Sequence, residues 1–69
     1  MPPIHVQTAI AAIHAQTAPG PERAQALRQL ALRLQQAVAA NSDAQEAYRL
    51  SVLDRHVERL AADEVRATP

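Results

Sequence analysis

Leucines and valines at alternating spacings of three and four mark two stretches of this chain as amphipathic helices. In the C-terminal stretch Leu50, Leu53, Val57 and Leu60 share one face, with Glu46 and Glu64 at the edges of the stripe. In the stretch before it Leu27, Leu30, Leu34 and Val38 do the same, with Ala31 filling in. Between the two stands the polar break Asn41-Ser42-Asp43. So short a break returns the chain alongside itself, and the two stripes are expected to face each other as an antiparallel hairpin.

The ends of these elements carry their own signals. Pro19-Gly20-Pro21 joins two fixed φ angles and two missing amides to a residue free to take positive φ, which stops any helix before it. Pro21 suits a first helical position, and the charge of Glu22 suits the positive end of the helix dipole. The second helix is therefore predicted over about 21–40. Asn41 reads as a left-handed terminator, and Ser42 with Gln45 reads as a capping box, with Asp43 and Glu46 adding negative charge to the same turn. The third helix is predicted over about 43–66. At ~1.5 Å per residue both long helices span roughly 30 Å, so they match as a hairpin requires.

Ahead of the hairpin, Met1-Pro2-Pro3 is an extended start. Ile4, Val6 and Thr8 alternate as a strand would, but Val6, Ile10 and Ile13 have helical spacing and the intervening alanines favour helix. A short helix over about 4–17 follows. The expected fold class is all-α: one small helical domain over 1–69, built as a hairpin with a short N-terminal helix.

Composition limits how well such a fold stands alone. The chain has 69 residues, no cysteine and 1% aromatic content, Tyr48 being the single aromatic side chain. Disulfides and thiolate metal sites are thereby excluded. The apolar inventory is mostly alanine, an excellent helix former that buries little area. A domain below roughly 70–80 residues rarely gains more than about 3–5 kcal/mol from its core, so a partner subunit, identical or different, is expected.

Formal net charge is zero with 20% charged residues, which disfavours a nucleic-acid binder. All the basic residues are arginine. No run approaches the ~20 apolar residues of a membrane span, and the N-terminus lacks a signal-peptide layout. The expected location is cytoplasmic, with no membrane contact.

Some apolar residues do not belong to the hairpin seam. Tyr48 and Val52 lie nearly opposite the inner stripe of the third helix, and Leu32 points away from the seam of the second. Two fates are open to them: cover by the N-terminal helix through Val6, Ile10 and Ile13, or a partner-binding surface anchored by the tyrosine. Arg55, Arg59 and Arg66 share the outer side with Tyr48. Two readings of this face are open. One is a nucleic-acid stripe, with the arginines on phosphates and the tyrosine stacked on a base. The other is a solvated face on which Asp54, Glu58 and Asp63 lie close by and the Arg55–Glu58 and Asp63–Arg66 spacings allow local ion pairs; the neutral chain favours the second. The expected partner-binding set is Leu32, Tyr48, Val52, Arg55 and Arg59.

Chemistry is sparse. His5, His14 and His56 include no i, i+4 pair, and no other pattern completes a metal site. Ser42 and Ser51 lack a nucleophile elbow, and the single Gly20 excludes phosphate-cradling loops. No catalytic residue, cofactor site or metal site is expected. Met1-Pro2-Pro3-Ile4-His5-Val6 resembles the start of the tautomerase superfamily, which implies Pro2 as a base on the first strand of a β-α-β unit, with Tyr48–Val52 as a second strand. The family's short Gly-Arg loop is missing, residues 9–20 are an insertion, and the cap near Ser42 opposes a strand after it.

Ala26-Leu27-Arg28-Gln29 in the second helix, and Asp43-Ala44-Gln45 leading to Tyr48 at the turn, carry a second resemblance. With the order short helix, glycine-containing break, alanine-leucine-rich helix, polar turn and final helix, the chain resembles the YscE/PscE-type co-chaperones of bacterial type III secretion needles. Asn41-Ser42 stand where that family often has glycine. The resemblance implies a non-enzymatic protein that pairs with a helical-repeat chaperone, the two together holding the needle subunit soluble until export. The alternative is a homodimeric four-helix bundle of the Rop type, a small regulator that binds nucleic acid.

Overall fold

The computed structural model describes residues 5–67, and they form three α-helices in the order α1 (Val6–Gln16), α2 (Pro21–Ala40) and α3 (Ala44–Arg66). There is no strand among the described residues. The fold is the expected all-α hairpin with a short N-terminal helix. Val6 begins a helix and Tyr48–Val52 lie inside α3, so the second strand of a tautomerase-like unit is absent, while most of the segment that would form its first strand lies outside the described residues. The expected start of the first helix at Ile4, like the proline pair before it, lies outside the described residues.

The hairpin is held by its two stripes. Leu27, Leu30, Ala31 and Leu34 from α2 meet Leu50, Val57 and Ala61 from α3 in a single buried cluster. Ala31 and Ala61 contribute small side chains to this cluster. Leu53 and Leu60 belong to the inner face as expected but sit half-buried on its flank. The reason is helical phase: roughly 100° per residue puts both on the side to which α1 returns, while Ala61 takes the centre.

Packing of α1 follows from that flank. Val6 is buried in the core cluster, with Ala9, Ile10 and Ile13 packed against it. The start of α1 and its approach, at His5 and Val6, border an open recess of about 260 Å³ beside Arg49 and Leu53. Farther along, Ala9, Ala12 and Ile13 border another against Ala26, Leu30 and Arg33. The N-terminal helix thus covers one edge of the hairpin seam.

Two corrections concern the turns. Asn41 has φ −94 and ψ 126, so it closes α2 in an extended conformation, not a left-handed one. Its side chain accepts a hydrogen bond from the Asp43 N–H at 2.9 Å, an Asx turn that sets the reversal. The N-cap of α3 is Asp43, not Ser42: its carboxylate accepts from the N–H groups of Gln45 (2.9 Å) and Glu46 (3.3 Å). Helix α3 consequently begins at Ala44, in agreement with the expected start at about 43.

The other joint is built around Gly20, with φ 104 and ψ −141, a region open to glycine alone. Pro21 follows as the first residue of α2, and Glu22 reaches back to accept from the Ala18 N–H at 3.0 Å. Across the fold, Glu64 of α3 accepts from the Gly20 N–H at 2.8 Å. Arg23 completes the joint, donating to the carbonyls of His14 (3.1 Å) and Thr17 (2.9 Å) and to the Thr17 hydroxyl (3.3 Å). It also faces Glu64 at 3.8 Å, with side chains 14% and 18% exposed. One arginine and one glutamate therefore tie together the end of α1, the start of α2 and the end of α3.

Candidate partner-binding surface

Helical phase divides α3 into two seams. Glu46, Leu50, Leu53, Val57, Leu60 and Glu64 follow alternating steps of four and three, and this stripe faces α2 and α1. Tyr48, Val52, Arg55, Arg59, Ala62 and Arg66 follow the same alternation two residues out of step. Two residues are roughly 200° of rotation, so the second stripe runs along the opposite side of the helix. All six of its residues are exposed.

At the turn end of this outer stripe the apolar surface is concentrated. Tyr48 is 71% exposed and Val52 is 45% exposed. Cover by the N-terminal helix does not occur, because α1 lies along the Leu30–Leu53 flank. Leu32 is 48% exposed, on the outer side of α2 with Gln25, Arg28 and Gln36. It does not share a surface with Tyr48 and Val52, since the outward sides of two helices packed on each other face opposite directions. The expected set therefore separates into Tyr48, Val52, Arg55 and Arg59 on α3, and Leu32 alone on α2.

Charge along α3 is sorted by what each group touches. Arg49 donates to both carboxylate oxygens of Glu46, through Nε at 3.0 Å and through the guanidinium terminus. That hydrogen bond holds the Glu46 carboxyl below its ordinary value, against an opposing desolvation effect and with a lesser help from charge attraction. The same contact raises Arg49. The expected Asp63–Arg66 pair is formed. The expected Arg55–Glu58 pair is not: the Gln35 amide of α2 donates to Asp54 at 3.2 Å and to Glu58 at 2.9 Å, turning both carboxylates toward the seam. Among the described residues Arg55 and Arg59 have no ion-pair partner.

Other candidate chemistry stays dispersed. Among the described residues no three His, Asp or Glu side chains gather as metal ligands. His5 borders the recess at the start of α1, while His14 and His56 are exposed on different helices. Pro2 lies outside the described residues. Among those residues no helix is long and apolar enough to cross a membrane.

Two features escaped sequence reasoning. Val65, 45% exposed, falls between the two stripes of α3 and belongs to neither period. The joint of Gly20, Arg23 and Glu64 left one signal, a glutamate at the rim of an apolar stripe, but its partner is far away in sequence. No protein-family model, curated protein or solved structure matches this chain.

Proposed function

We propose that this protein is a non-enzymatic protein–protein interaction module whose partner lies along the outer side of α3, with Tyr48 as anchor and Val52 beside it. The observation that carries this reading is the 71% exposure of the chain's single aromatic side chain, on a side of α3 that no other described helix covers. A tyrosine on a preformed helix offers large contact area at small entropy cost and is a favoured interface anchor. Composition supports the same reading, because a core with three alanines among its nine buried residues leaves a small domain in need of further burial.

The resemblance to type III secretion needle co-chaperones supports a specific form of it. In that form the chain pairs with a helical-repeat chaperone in the cytoplasm of a bacterium, and the complex keeps a needle subunit soluble. Purification of the tagged chain and its Tyr48→Ala variant from the native host, with mass-spectrometric identification of what accompanies each, tests both levels. A helical-repeat protein retained by the wild type and lost by the variant is the expected result. Equal retention by the two chains contradicts the surface, and loss of a partner of another kind keeps the surface but removes the co-chaperone role.

A further inference from the structure

We infer that the occupant of the outer stripe is an acidic amphipathic helix of a different protein, apolar where it meets Tyr48 and Val52 and carboxylate-bearing where it meets Arg55 and Arg59. This rests on the interaction surface proposed above and names the chemistry of its partner. The stripe's steps of four and three are those of a coiled-coil seam, which a second helix fills by setting its side chains between them. Ala62 leaves room for close approach beyond the arginines.

Charge decides between partners. Gln35 turns Asp54 and Glu58 toward α2, and Glu46 and Asp63 engage Arg49 and Arg66. Arg55 and Arg59, one helical turn apart, are left with unmatched guanidinium groups among the described residues. Carboxylates meet such groups in forked hydrogen bonds. The same stripe of a second copy does not supply them. Laid parallel in register, its Arg55 meets Arg55; laid antiparallel with Tyr48 against Arg66, its Arg55 meets Arg59. Both directions set arginine against arginine at the centre of the stripe, so the complement comes from another sequence.

The full chain is titrated with a synthetic helical peptide of about three heptads, bearing leucine at seam positions opposite Tyr48 and Val52 and glutamate opposite Arg55 and Arg59. Two versions place the leucines in the first or second half, one for each chain direction. One version is expected to bind, and to lose about tenfold or more in affinity when its glutamates become lysines. The Arg55→Glu, Arg59→Glu double variant, checked for unchanged helicity, should lose the glutamate peptide and gain the lysine one. Failure of both versions, equal binding of the glutamate and lysine peptides, tighter binding of a single-stranded oligonucleotide, or dimerisation of the chain through this stripe would each overturn the inference. The complex from the native host separates it from the reading beneath. A complex lost in Tyr48→Ala but indifferent to the arginine reversals removes the acidic helix alone, whereas one indifferent to Tyr48→Ala removes both.

Discussion

Gly20 and Glu64, separated by 44 positions in the chain, meet in a 2.8 Å hydrogen bond from the glycine N–H to the glutamate carboxylate. The contact closes the open end of the hairpin, opposite the Asn41–Asp43 turn, and Arg23 braces it from α2. Replacing Arg23 by alanine removes three hydrogen bonds and an ion pair at a joint largely shielded from solvent. A loss of about 1–3 kcal/mol in urea unfolding is expected. Gly20→Ala should cost a similar ~1–3 kcal/mol, because its φ of 104 excludes a Cβ. Unchanged midpoints in both variants would show that the joint does not hold the fold.

The turn makes a sharper distinction. Asp43 caps α3 through two hydrogen bonds, whereas Ser42 donates and accepts nothing in the cap. Asp43→Ala should cost about 1 kcal/mol, while Ser42→Ala should leave thermal unfolding nearly unchanged. The reverse order would restore the serine cap.

Burial ranks the leucines. Leu34 is fully enclosed and Leu53 is half-buried beside α1, so Leu34→Ala should cost ~2–5 kcal/mol and Leu53→Ala distinctly less. A loss of that size is enough to unfold so small a domain. Equal costs would mean that α1 seals Leu53 as tightly as the hairpin seals Leu34.

These rankings show what the sequence reveals and what it hides. The hairpin is legible because Leu27, Leu30 and Leu34 pair with Leu50 and Val57 through a period that survives any choice of turn. The cap residue is not legible because Ser42 and Asp43 are neighbouring cap formers, and it is Asp43, beside the Asx turn at Asn41, that caps the helix. The position of α1 is hidden because Val6, Ile10 and Ile13 fit either side of the hairpin equally well. The outward position of Tyr48 and Val52 follows from phase alone. The separation of Leu32 from them needs the two helices set side by side.

Acid should loosen the start of α3. The Arg49 contact holds the Glu46 carboxyl below its ordinary value, so the folded state favours the charged form. The stabilisation is present above the ordinary carboxylate range and is lost as pH falls through the folded value. Carboxyl titration by NMR should give Glu46 a lower midpoint in the wild type than in Arg49→Ala. Identical midpoints would show that the pair does not persist in solution.

The most direct test of the account uses the single tyrosine as its own reporter, because the chain contains no other aromatic ring. The chain is labelled with meta-fluorotyrosine, and its one fluorine resonance is recorded free and in the complex purified from its host. The account predicts a solvent-exposed resonance in the free chain, sensitive to the water isotope, that shifts and loses that sensitivity when the partner is bound. A resonance already shielded in the free chain, or one unmoved in the complex, contradicts a partner surface at Tyr48.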